Sequence, residues 1–285
     1  MKLENIQSIA VIGAGTMGAG IAQVAAMSGY STFLFDINEQ ALLKSKEIIS
    51  KNLEKGIEKG KVSEQQKEEC LSKITFVSDL LKLKADVIIE AVIEKLQVKI
   101  DLFSKLEEIN SESTIFATNT SSIPITQIGA GLRFPNRLVG MHFFNPAHIM
   151  KLVEVISGVA TDQNVAVTIK QLAEKLGKKA VMAKDSPGFI VNRVARHFYV
   201  ESLKIAEEGV ADFEAIDKLV ESSGFKMGPF RLMDLIGVDT NFSVTTSMFE
   251  SFHYDPKFRP SRIQQQKVDA GHHGKKTGKG FYEYK

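Results

Sequence analysis

At 285 residues the chain is too long for one ordinary hydrophobic core, and its length points to two domains. With 44% apolar residues, 25% charged residues and a formal net charge of +2, it has the make-up of a globular protein. It lacks the unbalanced Lys/Arg stripe that nucleic acid requires. A single cysteine, Cys70, excludes an intramolecular disulfide and any cysteine-rich metal site, and no apolar run is long enough to span a bilayer.

The first expected strand begins about seven residues in, leaving no room for a cleaved presequence. A cytoplasmic protein with Cys70 as a reduced thiol is the expectation. Ser8 to Ile12 reads as a buried strand of a parallel sheet, and it turns over on Gly13-Ala14-Gly15-Thr16-Met17-Gly18. In this G-x-G-x-x-G spacing Gly13 allows a sharp turn, Gly15 lets a pyrophosphate touch bare backbone, and Gly18 lets helix and strand pack closely. The helix start then offers free N–H groups and a partial positive charge. Gly29 stops that helix.

A second strand, Ser31 to Phe35, ends in Asp36, eighteen residues past Gly18 and placed to accept both ribose hydroxyls of an adenosine. The same carboxylate repels a 2′-phosphate, and Ile37 and Asn38 supply no cation to hold one. The expected cofactor is therefore NAD rather than NADP.

From Glu39 to Leu71 the pattern is helical and charged, a helix pair with a break near Gly60. Lys44, Lys51, Lys55 and Lys59 fall along one face, with Glu47, Glu54 and Glu58 interleaved. Two readings stay open for this face: a solvated surface held by i,i+4 ion pairs, and a site for a phosphate-bearing substrate. Further short apolar runs follow at Ile74–Val77, Val87–Ala91, Thr114–Ala117 and Leu138–Met141, with helices between them, which argues for a doubly wound parallel sheet. These runs end on Glu90, on Thr118-Asn119-Thr120-Ser121 and on His142, where ligands sit in open sheets of this class. Lys151 to Ile156 reads as a strand carrying Glu154 on one face with Leu152 and Ile156, a carboxylate that needs a partner. A helix from Asn164 to Leu176 and a strand from Ala180 to Ala183 close the first domain.

Lys184-Asp185-Ser186-Pro187-Gly188 marks the boundary, with Ser186 and Pro187 as a helix N-cap and first residue. The expected domains are residues 1–186, a dinucleotide-binding α/β unit of the Rossmann type with an inserted helix pair, and residues 187–285, all-helical. Helices are expected at Phe189–Glu208, Phe213–Ser222 and Phe230–Phe249. The apolar content of so small a bundle implies docking onto the first domain and onto another copy.

A nicotinamide cofactor carries a hydride, so the protein must supply a proton shuttle and a grip on the reacting oxygen. An imidazole titrates near neutrality, which makes His142 the candidate shuttle and Glu154 its orienting carboxylate. Ser121 and Asn192 are candidates to contact the substrate oxygen. Gly274-Lys275-Lys276-Thr277 looks like part of a P-loop but follows no strand, and the adjacent His272 and His273 lack the carboxylate or Cys company of a metal site. No metal is expected.

Beyond the glycines, the chain carries Asn119-Thr120-Ser121-Ser122, Met141-His142-Phe143-Phe144-Asn145-Pro146, Met150-Lys151-Leu152-Val153-Glu154-Val155, Asp185 through Arg193, Met227-Gly228-Pro229-Phe230 and Gly274 through Tyr282. In these motifs, in order and over essentially its whole length, it resembles the (S)-3-hydroxyacyl-CoA dehydrogenases. It is most similar to the short bacterial, single-function 3-hydroxybutyryl-CoA dehydrogenases. The resemblance implies that His142 and Glu154 are the catalytic pair, with Ser121 and Asn192 contacting the acyl group of an acyl-CoA thioester. It implies that Glu94, Lys99, Asn145 and Lys276 lie near the cofactor, and that Asn52 and Lys59 hold coenzyme A, with Lys51 and Lys55 sharing that task. It also implies a homodimer through the helical domain. Two positions depart from the family pattern: Arg231 replaces the usual acid after Met-Gly-Pro-Phe, and His148 stands where a proline is common. Two rival readings are a dehydrogenase of free hydroxy acids of the gulonate type, which has no need of the lysine face, and a catalytically silent NAD-binding protein, which has no need of an acid-supported imidazole.

Overall fold

The computed structural model describes residues 2–284, which divide after Ser186 into two compact units. The first is built on one eight-stranded sheet in the order β3-β2-β1-β4-β5-β6-β7-β8. Its elements in chain order are β1 (Ser8–Ile12), α1 (Thr16–Met27), β2 (Ser31–Phe35), α2 (Glu39–Glu58), α3 (Glu64–Ser72), β3 (Ile74–Val77) and β4 (Val87–Glu90). There follow α4 (Leu96–Ile109), β5 (Ile115–Thr118), α5 (Ile125–Gly129), β6 (Leu138–Phe143), β7 (Leu152–Ser157), α6 (Gln163–Lys175) and β8 (Lys179–Lys184). The central strands β1, β4, β5 and β6 are near-continuous apolar runs, as burial on both faces requires. Their side chains join those of α1 and α6 in one hydrophobic core.

One strand departs from the expected parallel sheet. β7 runs antiparallel to β6, pairing Gly140 with Ile156 and His142 with Glu154, and β8 then lies parallel to β7. Only nine residues lie between His142 and Leu152, too few for the crossover a parallel neighbour needs.

The inserted helix pair forms as its caps dictate. The Asn38 side chain accepts from the Gln40 N–H at the start of α2, and Ser63 with Gln66 makes a reciprocal capping box at the start of α3. Gly60, at φ +63°, turns the chain between them. The expected intrahelical ion pairs on the lysine face are a different matter: among the described residues Glu54 pairs with Lys67 of α3 at 3.2 Å, and no Lys–Glu pair forms within α2.

The second unit, from Pro187, is helical: α7 (Val191–Glu207), α8 (Phe213–Ser222), α9 (Pro229–Ile236), α10 (Val238–Ser251) and α11 (Arg262–Asp269). Two expectations need correction, and one helix lies outside them. Ser186 and Pro187 do not start a helix, because Gly188 (φ +72°) and Phe189 (φ +49°) are left-handed and the chain turns before α7 begins. The helix expected over Phe230–Phe249 is two helices, broken by Gly237 at φ +107°. α11, polar on most of its surface, has too few apolar residues to stand out by periodicity. Two buried carboxylates tie the C-terminal segment down. Asp234 accepts from the Phe281 and Tyr282 N–H groups and the Tyr284 hydroxyl, while Asp217 accepts from the Phe230 N–H and the Tyr282 hydroxyl. Arg231 lies over the Tyr282 ring and beside Asp217, so this departure from the family pattern is part of the packing of the helical unit.

Candidate active site

The dinucleotide turn sits at the carboxyl end of β1. Gly13 donates its N–H to the Phe35 carbonyl at 2.8 Å and holds φ at +101°; a Cβ there would meet the Ala91 carbonyl oxygen at 2.7 Å. A Cβ on Gly18 would fall inside the van der Waals shell of the Gly13 carbonyl oxygen, so helix and strand touch backbone to backbone. Gly15 differs: no atom lies within 4 Å of its notional Cβ, which leaves bare backbone open at the start of α1. Asp36 accepts from the Ala14 N–H at 2.8 Å and from the Asn38 N–H at 2.9 Å. One acceptance at each oxygen leaves lone pairs for a diol. Gly13, Ala14, Gly15, Thr16, Met17, Gly18 and Asp36 together fit a pyrophosphate at a helix start with a ribose beside it.

Next to this turn, Glu94 organises the loop after β5. Its Oε1 accepts from the Thr120 hydroxyl at 2.5 Å, from the Ser121 and Ser122 N–H groups at 3.0 and 3.2 Å, and from the Ser122 hydroxyl. Burial opposes ionisation of Glu94, but Lys99 and the Thr120 and Ser121 hydrogen bonds outweigh it and hold the carboxyl below the usual carboxylate range. Lys99 is 1% exposed; its ammonium lies 2.6 Å from Glu90 and 3.2 Å from Glu94. Lys99 is therefore enclosed by protein, with its ammonium between the two carboxylates. Glu90, fully buried, also accepts from the Thr118 hydroxyl and the Val92 N–H. The polar end of the β4 apolar run was the signal for Glu90, and the hydroxyl-rich loop was the signal for Thr120; neither pointed to a hub at Glu94.

His142 and Glu154 stand directly opposite each other across β6 and β7, with Nδ1 and Oε2 2.8 Å apart. They are 6% and 1% exposed, so the pair lies in a low-dielectric setting. Phe144 packs on the imidazole with ring centroids 4.5 Å apart, and the Asn119 side chain accepts from the Phe143 N–H at 2.8 Å, tying the loop that leads to Ser121 to the end of β6. Asn145 follows, exposed, at the same rim of the sheet.

A cavity of about 510 Å³ opens among α1, the C-terminal part of α2 and the segment before β7. Asn52, Lys55 and Lys59 line it, as do Lys61, Lys151, Lys178 and His148; Lys51 lies outside its lining, exposed on α2. Lys178 is the residue that spacing did not reveal. It is buried, and its ammonium donates to the Ala147 and Met150 carbonyls at 2.5 and 2.9 Å, on either side of His148. A lysine at the mouth of a strand carries no sequence signal for such a role.

In the second unit, Asn192 sits half-buried in the first turn of α7, and Lys276 pairs with Asp239 at 2.6 Å. His273 has its Nδ1 3.7 Å from Asp239, and no group of three metal-ligating side chains occurs among the described residues.

Residues 8–186 match the family described as 3-hydroxyacyl-CoA dehydrogenase, NAD binding domain, and residues 188–284 match that family's C-terminal domain. The chain belongs to the 3-hydroxyacyl-CoA dehydrogenase family. It is 46% identical over 283 residues to the 3-hydroxyadipyl-CoA dehydrogenase of Escherichia coli, covering 99% of this chain but 60% of that relative's length. It is 42% identical to a probable 3-hydroxybutyryl-CoA dehydrogenase of Bacillus subtilis, with 98% of each chain covered. The crystal structure of (S)-3-hydroxybutyryl-CoA dehydrogenase from Ralstonia eutropha superposes with a TM-score of 0.95 at 37% identity, over 99% of this chain and 100% of that one. The cofactor that the dinucleotide turn fits is thus the NAD of this family. No helix among the described residues is long and apolar enough to cross a membrane.

Proposed function

We propose that the chain interconverts short-chain (S)-3-hydroxyacyl-CoA thioesters and their 3-oxoacyl-CoA counterparts with NAD, 3-hydroxybutyryl-CoA and acetoacetyl-CoA being the working pair. The observation that carries the reading is the buried His142–Glu154 pair at the rim of the sheet that also bears the dinucleotide turn. NAD held at the turn of Gly13 to Gly18 with Asp36 would supply the hydride acceptor for substrate C3, or in its reduced form the donor. His142 moves the accompanying proton. Its Nδ1 faces Glu154, and in this reading Nε2 takes the C3 hydroxyl proton as the C–H and O–H bonds give way to a carbonyl. In reduction the imidazolium gives that proton back to the oxygen. Glu154 fixes the tautomer and stabilises the imidazolium.

Ser121 and Asn192 contact the acyl group in this reading, and Glu94 holds the Ser121 backbone in place. Asn145 and Lys276 serve the cofactor. Asn52, Lys55 and Lys59 hold the phosphates of coenzyme A, supported by the lysine-lined cavity they share. The helical unit joins a second copy as a homodimer in this reading.

The test is NADH consumption with acetoacetyl-CoA. His142→Ala should lower turnover by roughly 10²–10⁴-fold, the range for losing a general acid–base. Reduction at the parent rate by that variant ends the proton-shuttle assignment. Equal efficiency with acetoacetyl-CoA and acetoacetyl-pantetheine counts against the coenzyme A part.

A further inference from the structure

The lysine-lined cavity contains one group that its cations alone do not explain. His148, half-buried, has its Nδ1 3.5 Å from the Asn52 side-chain nitrogen, and that same nitrogen donates to the side-chain oxygen of Gln23 at 3.1 Å. An amide nitrogen has only hydrogens to offer, so in this arrangement Nδ1 takes the acceptor side of the contact. The charges around it agree. From α2 come Lys55 and Lys59, from the turn before α3 Lys61, from the loop before β7 Lys151, and from the turn before β8 Lys178. α1 supplies Gln23 and no charge, and no carboxylate is among the residues lining the cavity. Lys178 cannot swing away, because two of its N–H groups are held by the Ala147 and Met150 carbonyls that flank His148. Burial, Lys178 and Lys55 all push the imidazole below its ordinary range.

We infer that His148 couples the binding of a coenzyme A phosphate in this cavity to the uptake of a proton. The inference rests on the proposed coenzyme A site and adds the residue that makes it pH-responsive. A phosphate set among the lysines cancels the field that opposes charge on His148, while the new N–H forms at Nδ1, opposite Asn52. Asn52 meets the change by turning its amide so that oxygen, rather than nitrogen, faces Nδ1. By linkage the protonated imidazole favours the phosphate as much as the phosphate favours the proton.

The experiment is calorimetric titration of the whole protein with coenzyme A, in two buffers of different ionisation enthalpy, for the parent and His148→Gln. The phosphate itself sheds protons as it meets the lysines, so the informative quantity is the difference between the two proteins. The parent should take up several tenths of a proton more than the variant near pH 6.5. The ratio of parent to variant affinity should rise severalfold from pH 7.5 to 5.5, within the limit of tenfold per pH unit for one proton. Pantetheine, which has no phosphate, should show no difference. Equal proton counts for the two proteins, with coenzyme A still bound more tightly than pantetheine, overturn the role of His148 and leave the coenzyme A site standing. Coenzyme A bound no better than pantetheine overturns both. A readout free of any variant's folding is the NMR titration of the His148 ring proton in the parent. Its midpoint should move to higher pH with coenzyme A, and a midpoint that stays put refutes the coupling.

Discussion

Replacing Glu154 by Gln removes one charge while keeping the size of the side chain, and the geometry sets the cost. Oε2 lies 2.8 Å from Nδ1 of His142, and both side chains are almost wholly buried. With the centres of the two charges about 4 Å apart and an effective dielectric of about 20, the imidazolium gains about 4 kcal/mol from the carboxylate. That gain exists only when His142 carries the proton, so its loss falls on the chemical step and corresponds to roughly a 10³-fold drop in turnover. A carboxamide that donates to Nδ1 also selects the tautomer with hydrogen on Nε2, which cannot accept the substrate proton and deepens the loss. The assay is steady-state NADH formation over a range of (S)-3-hydroxybutyryl-CoA, the direction in which His142 takes up the proton, with thermal melting to establish that the variant is folded. The drop should appear in kcat, with KM for (S)-3-hydroxybutyryl-CoA little changed. A folded variant that loses less than about fivefold in kcat, roughly 1 kcal/mol, refutes the electrostatic argument.

Two glycines of the dinucleotide turn should separate binding from folding. Gly15→Ala places its methyl in open space, so the melting temperature should hold while NADH titration shows affinity weakened about 5- to 150-fold, the equivalent of 1–3 kcal/mol of crowding. Gly18→Ala drives its methyl into the Gly13 carbonyl and should lower the melting temperature itself; a variant as stable as the parent contradicts the close packing. Glu94, held below the usual carboxylate range in the folded state, contributes stability that is present above that range and lost as pH falls through it. The gap in urea midpoint between the parent and Glu94→Gln should accordingly narrow from pH 7 to pH 3.5, and a gap that widens has the wrong sign. Burial pushes the Cys70 thiol up to about 11, so at pH 8 about one part in a thousand is thiolate. Iodoacetamide should leave the native protein unlabelled under conditions that label it fully in guanidinium chloride; stoichiometric native labelling overturns the burial.

What the sequence disclosed followed from local rules. The glycine turn, the acid at the end of β2, the helix pair broken at Gly60 and the succession of strands from β3 to β6 are each written in a few neighbouring residues. The helical unit was legible as helical, yet its boundaries were not. Periodicity runs across Gly237, because apolar residues on both sides keep the helical spacing, and only the left-handed backbone there shows that the helix must stop. The lysine face of α2 was ambiguous for a different reason. Its alternative partners, Lys67 on α3 and the cations of the cavity, arrive from segments far along the chain, and spacing within one helix says nothing of them. Lys178 and the Glu94 hub were hidden likewise, since a side chain that serves backbone carbonyls or N–H groups from another element carries no pattern of its own.

The antiparallel return of β7 is the feature on which the proposed chemistry turns. β6 leaves the sheet at Phe143, and a parallel neighbour would need a crossover of a dozen or more residues before rejoining it. The short antiparallel return brings the chain back at once, and a residue only twelve positions later faces His142. Directly opposed residues share a face with Cβ atoms about 4.5–5.5 Å apart, a gap that an imidazole and a carboxylate bridge with one hydrogen bond. A slip of one residue would turn Glu154 to the opposite face and bring a valine against the imidazole. What forbids the slip is apolar: Val153 and Val155 are fully buried in the core, and β8 pairs with six consecutive residues of β7 on its other side. The hydrophobic residues of β7 thus do more than stabilise the sheet. By fixing its register they set the distance between the proton shuttle and the carboxylate that steadies it.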